Sequence, residues 1–128
     1  MRIPRINPRQ PKATRVELRC PDPTTNPYLA FAVMLAAGLD GIARKLALSA
    51  PVEEDLYHMG LAERTERQVD ALPGSLGEAL DYLKRDSIVK EALGEHLFNR
   101  FIEAKTQEWD EYRMQVSEWE HQRYLSIF

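Results

Sequence analysis

The sequence predicts a mainly α-helical fold, with short β segments at the N-terminus leading into a helical bundle. Two observations carry this. From Pro27 onward, apolar residues recur at intervals of three and four in several long stretches. Ahead of them, Thr14-Arg-Val-Glu-Leu-Arg19 alternates polar and apolar, the period of a strand. The chain has 128 residues, enough for one domain.

Residues 1–13 contain Pro4, Pro8 and Pro11. This spacing excludes a helix and favours an extended or looping path. In the following strand Val16 and Leu18 share one face, and Arg15, Glu17 and Arg19 share the other. On pattern alone, the simpler reading of that charged face is a solvated sheet edge. A turn, Cys20-Pro-Asp-Pro-Thr-Thr-Asn26, then leads to a helix. Asn26 suits its N-cap and Pro27 its first position, where a missing N–H costs nothing.

This helix is expected from Pro27 to about Leu48. It is apolar nearly all round in its first half, through Leu29, Phe31, Val33, Met34, Leu35 and Leu39, as buried helices are. A chain of this size has difficulty covering such a helix on every side. Gly38 and Gly41 point to close approach by another backbone. Residues 49–74 read as a polar connection with one helical turn around Ala62–Val69. Ser75 and Glu78 form an S-x-x-E capping box for an amphipathic helix ending near Asp86. A short turn around Ile88–Leu93 leads to Gly94. From Glu95 a helix of more than twenty residues is expected. Phe98, Phe101, Trp109, Tyr112, Val116 and Trp119 make one aromatic-rich stripe on it, interrupted by Lys105, and the stripe is expected to pack on the first helix. The tail, Tyr124-Leu-Ser-Ile-Phe128, stays apolar where termini are usually polar.

The formal net charge is −3. Residues 1–19 hold Arg2, Arg5, Arg9, Lys12, Arg15 and Arg19 against the single acid Glu17, a charge of +5, so the other 109 residues carry −8. A basic arm ahead of an acidic body is suited to anions. Cys20 is the lone cysteine, which excludes an internal disulfide and fits a reducing cytoplasm. The longest uncharged apolar run, Tyr28 to Leu39, is short of the roughly 20 residues that span a bilayer. No Gly-rich phosphate loop, Cys/His metal spacing or nucleophile elbow occurs, and His58, His96 and His121 are far apart. From the residues alone two readings stay open. One is a helical interaction or oligomerisation domain with no catalytic role, and the other a nucleic-acid-binding module using arm 1–19. The arm lacks interleaved aromatics, which counts against the second.

Several segments are similar to the late part of glutamine synthetases: Arg2-Ile-Pro4, the run from Arg15 through Glu17, Arg19 and Asn26-Pro27-Tyr28-Leu29, Ala36-Ala-Gly-Leu-Asp-Gly-Ile42, Pro73-Gly-Ser-Leu76, Glu108-Trp109 and Trp119-Glu120 with Tyr124-Leu125. The resemblance covers essentially the whole chain. It implies the C-terminal portion of that family's α+β catalytic domain, with residues 1–19 as an extended active-site segment and 20–128 helical. It implies ATP-dependent ligation of glutamate and ammonia through γ-glutamyl phosphate, with Mg²⁺ or Mn²⁺ and with ATP as co-substrate. It also implies a cytoplasmic homo-oligomer, commonly a dodecamer of stacked rings, with no nucleic-acid or membrane partner.

By resemblance, Glu17 ligates one of the two catalytic metals. Arg19 contacts glutamate or its phosphorylated form and is the catalytic and substrate-binding residue. Arg2 and Arg15 lie against ATP phosphates, and Lys12 is at the nucleotide. These roles reverse the solvated-edge reading, because a strand's period puts Arg15, Glu17 and Arg19 together. The loop between Pro4 and Lys12 is longer than in some relatives and leaves Arg5 and Arg9 without roles. Tyr57 sits near where some bacterial relatives are nucleotidylated, although its surroundings differ and a plain surface tyrosine is the simpler reading. The other metal carboxylates, the histidine ligand and the ammonium site are not in this segment of the family. The 128-residue chain alone is therefore expected to be inactive.

Overall fold

Asn26 starts the first helix as the sequence requires. Its Oδ1 accepts from the N–H groups of Tyr28 at 3.0 Å and Leu29 at 3.4 Å, with Pro27 at the first helical position. The structure, a computed structural model, describes residues 1–53 and 55–127. Its helices are α1 (Pro27–Ala43), α2 (Leu61–Glu66), α3 (Leu76–Arg85), α4 (Ser87–Leu93), α5 (Glu95–Arg113) and α6 (Glu118–Tyr124).

The short β segments expected at the N-terminus do not form strands among the described residues. The 14–19 stretch makes one isolated antiparallel bridge, Arg2 to Glu17, closed by Arg2 N–H to Glu17 O at 2.9 Å and Glu17 N–H to Arg2 O at 2.8 Å. A strand needs a partner along its length. The segment that begins at Arg2 soon reaches Pro4, which has no N–H to donate. Pro11–Ala13 then close a single 3-10 turn. Val16 and Leu18 stay exposed.

α1 ends at Ala43, five residues before the expected Leu48. Lys45 takes a left-handed backbone with φ of 52°. Its N–H bonds Ile42 O at 3.1 Å, and Leu46 N–H reaches back to Gly41 O at 3.0 Å. This pattern satisfies the last carbonyls and stops the helix.

Ser75 caps α3, its Oγ accepting from Glu78 N–H at 3.1 Å. The return bond of the expected box goes one residue further back, from Gly74 N–H to Glu78 Oε2 at 2.7 Å. Asp86 then ends α3 and caps α4, its Oδ1 accepting from Ile88 N–H at 2.9 Å and Val89 N–H at 3.0 Å. The stretch read as a short turn is therefore a helix. Gly94, with φ of 72°, turns α4 into α5.

The long terminal helix is broken. α5 stops at Arg113, and α6 begins from Ser117, whose Oγ accepts from Glu120 N–H at 3.3 Å while Glu120 Oε2 accepts from Ser117 N–H at 2.7 Å. The aromatic stripe is therefore not continuous to Trp119. Nor does it pack on α1. α5 lies against α3 and α4, and α1 meets α4 alone among the described helices. The core is small: Leu80 at 3%, Phe98 at 4% and Met59 at 5% exposure are its buried apolar residues. Glycine serves close approach at Gly77, where a Cβ would lie 2.6 Å from Trp109 Nε1. Gly38 and Gly41, expected in that role, have nothing within 4 Å of an added Cβ.

α1 has two apolar faces. Leu29, Val33 and Ala36 are half-buried on the side facing α4, whose Ile88, Val89 and Ala92 are likewise half-buried. Tyr28, Phe31, Leu35, Leu39 and Ile42 form a second stripe, spaced three and four apart, and all are exposed. The nearly all-round apolar pattern thus covers one used face and one bare one.

Candidate functional site

The bridge between Arg2 and Glu17 brings together two ends of the arm that lie fifteen residues apart. Glu17 Oε2 lies 3.2 Å from Arg2 Nη1. Its Oε1 accepts from Arg15 Nε at 3.0 Å and lies 2.7 Å from Arg15 Nη2, a two-pronged contact from one guanidinium. Arg15 Nη1 also donates to Ala13 O at 3.3 Å. Partial loss of water works against the charged form of Glu17. The hydrogen bonds and charges of Arg15, and then of Arg2, outweigh this and hold its carboxyl below the ordinary value. Both arginine side chains remain more than half exposed, so each guanidinium has a free side toward solvent.

Of the residues singled out from the sequence, Arg2, Arg15 and Glu17 form one cluster. Arg19 follows on the same arm, and among the described residues it has no ion-pair partner. Lys12 lies in the 3-10 turn, exposed and likewise unpaired among the described residues. The turn after Arg19 is shaped by Asp22, whose Oδ1 accepts from Thr24 N–H at 2.7 Å and from the Thr24 hydroxyl at 2.6 Å. These two bonds hold the Asp22 carboxyl below its ordinary value, with a lesser contribution from the charge of Lys105 on α5.

The sequence reading missed the pairing of Arg2 with Glu17. No local pattern announces a contact across fifteen residues. The available signal was that Glu17 is the only acid among six basic residues, and so the one carboxylate any of them could meet.

The other chemistry-bearing side chains stay apart. His58 Nδ1 sits 2.7 Å from Asp55 Oδ2 on the exposed connection, with Tyr57 edge-on beside it. His96 lies on α5 and His121 on α6. Among the described residues no group of three or more His, Cys, Asp and Glu could hold a metal ion. Glu17, a hard oxygen donor with a lowered pKa, suits one position of an Mg²⁺ shell, which takes oxygen ligands in near-octahedral geometry. These residues do not complete such a shell.

A charged, solvent-reachable arm carried on a set of helices with one bare apolar face defines part of a larger anion-handling catalytic domain. The family model described as "Glutamine synthetase, catalytic domain" matches residues 1–124. Among known proteins, the chain is 53% identical over 127 residues to a glutamine synthetase of Thermotoga maritima, covering 99% of this chain and 28% of that protein. It is 50% identical over 125 residues to one of Methanococcus voltae, covering 98% of this chain and 28% of the relative. It is also 50% identical over 124 residues to one of Thermus thermophilus, covering 97% of this chain and again 28% of the relative. The chain belongs to the glutamine synthetase family, and it spans about 28% of the length of these relatives.

Proposed function

We propose that this chain is the C-terminal portion of the catalytic domain of a glutamate–ammonia ligase, with residues 1–19 as an active-site arm and 20–128 as helical support. The observation that carries the reading is the Glu17 carboxylate bracketed by Arg2 and Arg15, with Arg19 two residues on, within a chain that matches the family's catalytic domain.

In the proposed reaction the γ-carboxylate of glutamate takes the terminal phosphoryl group of ATP, and ADP leaves. Ammonia then attacks the acyl carbon, and phosphate leaves with the electrons of the acyl–oxygen bond. Arg2 and Arg15 donate to the nucleotide's phosphate oxygens, and Lys12 adds charge at the nucleotide. Arg19 holds the glutamate carboxylate or its acyl phosphate and offsets charge as the phosphoryl group is transferred. Glu17 gives one carboxylate to a divalent cation, Mg²⁺ or Mn²⁺, which when bound neutralises phosphate charge. The remaining ligands come from the part of the enzyme outside these residues, so the 128-residue chain alone turns over no substrate.

The proposed setting is a cytoplasmic homo-oligomer of stacked rings, without nucleic-acid or membrane partners. No helix among the described residues is long and apolar enough to cross a membrane. The exposed stripe of α1 and the exposed Leu125 and Ile127 of the tail support burial against further protein. Phe128, the last residue of the expected tail contact, lies outside the described residues.

In the full-length enzyme, Arg19→Ala should lower kcat about 10²- to 10³-fold, as loss of a donor to developing charge does elsewhere. Glu17→Ala should raise the Mg²⁺ concentration needed for half-maximal rate. Steady-state assays across a metal titration check both. Near-normal turnover and metal dependence in both variants would sink the reading.

A further inference from the structure

We propose that Arg2, Glu17 and Arg15 form an ion-exchange lock, in which a metal–polyphosphate adduct is admitted by a swap of partners while either ion alone is disfavoured. The inference rests on the proposed reading of this face as metal- and phosphate-binding, and adds how the two binding events are coupled.

Both oxygens of Glu17 are already taken. Oε1 carries the two-pronged Arg15 contact and Oε2 carries Arg2. A divalent cation arriving alone must displace a guanidinium and then sit beside two uncompensated positive charges. A polyphosphate arriving alone must draw Arg2 and Arg15 away from Glu17 and leave that carboxylate facing phosphate oxygens. An adduct of the two avoids both penalties. Its cation takes the Glu17 oxygens, its phosphates take the freed N–H donors, and every charge keeps a partner throughout.

The geometry suits a swap made by side chains alone. Backbone bonds of 2.8 and 2.9 Å hold Arg2 and Glu17 abreast, so the groups stay together while their partners change. The guanidiniums are reachable, with side-chain exposures of 57% and 58%, and Glu17 is the more sheltered member at 24%. A phosphate therefore meets the arginines before it meets the carboxylate. Exposed ion pairs are individually weak, so the coupling is modest, about three- to tenfold in affinity, and falls as salt rises.

The test uses the 128-residue chain labelled with ¹⁵N. The Arg15 Nε–H resonance reports the donor now bonded to Glu17 Oε1. Inorganic tripolyphosphate is titrated in EDTA and again with saturating Mg²⁺, for the wild-type chain, for Glu17→Gln and for Asp22→Asn. The last removes an equal charge nearby without touching either arginine. Without metal, Glu17→Gln should bind tripolyphosphate about three- to tenfold more tightly than wild type, with Asp22→Asn unchanged. Mg²⁺ should improve binding to wild type and to Asp22→Asn, and not to Glu17→Gln. Equal tightening in both variants would reduce the effect to bulk charge and overturn the lock. So would an Mg²⁺ benefit retained by Glu17→Gln, or an Arg15 resonance unmoved at millimolar tripolyphosphate. Failure of the functional reading registers elsewhere, in the turnover of the full-length Arg19 variant, and leaves these affinities as they are.

Discussion

Residues 1–26 and helices α3–α5 hold themselves together by different physics. The arm has no buried side chain, and its order comes from a single backbone bridge, the Arg2–Glu17–Arg15 cluster and the Asp22 turn. The helices rest on Leu80 and Phe98, on the seat of Trp109 against Gly77, and on caps formed within three residues of each helix start. Charge and hydrogen bonding set the arm, and its exposed groups stay free to change partners. Apolar burial sets the helices, and it leaves them little to exchange. The difference separates a part that does chemistry from a part that carries it.

The largest effect on this contrast should come from the core. Phe98→Ala removes one of its few buried side chains and should cost about 3–5 kcal/mol. Chemical denaturation followed by far-UV circular dichroism measures it. The Arg15 Nε–H resonance should report the arm's ion pairs intact under conditions where the variant's helices still form. Loss of the resonance with the helices still folded would show that the arm leans on the core.

Acid should produce the opposite asymmetry. The carboxyls of Glu17 and Asp22 sit below their ordinary values in the folded arm. Their contribution is therefore complete above the values they have when unfolded, and is lost as pH falls through the lowered ones. Titration from neutrality to well below the ordinary carboxylate range should release the arm's ion pairs first. α3 and α5, resting on Leu80 and Phe98, should keep their helical signal longer. Simultaneous loss of both, followed by NMR and circular dichroism, would erase the distinction.

A smaller effect is expected at the joint before α6. Ser117→Ala removes the oxygen that caps Glu120 N–H and should cost α6 about 1 kcal/mol, leaving α5 unchanged. Amide hydrogen exchange, residue by residue, separates the two helices.

The same contrast explains what the sequence disclosed. Helix starts are written locally, and Asn26-Pro27 and Ser75-x-x-Glu78 could be read because cap and target lie within three residues. Ser117-x-x-Glu120 is an equally local signal. It went unread because the stripe through Tyr112, Val116 and Trp119 kept helical spacing across the break, and periodicity outweighed punctuation. Asp86, taken as the end of one helix, also starts the next, which spacing alone does not tell. The end of α1 depends on Lys45 adopting a left-handed backbone, a conformation lysine does not advertise. On the arm, alternation correctly gathered Arg15 and Glu17. It wrongly promised a strand, because pairing depends on a partner and the arm provides it at Arg2 alone. The roles of Arg19 and Lys12 rest on family likeness and not on any contact they make in this chain.

Asp86 has one further consequence. Since a single residue both ends α3 and caps α4, no slack separates these helices, and Gly94 joins α4 to α5 almost as directly. One residue of helix corresponds to a rotation of about 100°. A one-residue insertion within α4 would swing Ile88 and Val89 out of register with Ala92, and the face presented to α1 would be lost. The run from Ser75 to Arg113 therefore behaves like a keyed shaft: it tolerates exchange of side chains far better than any change of length. Insertions and deletions in related chains should be confined to stretches such as 46–58, where no helix has to keep phase with its neighbour.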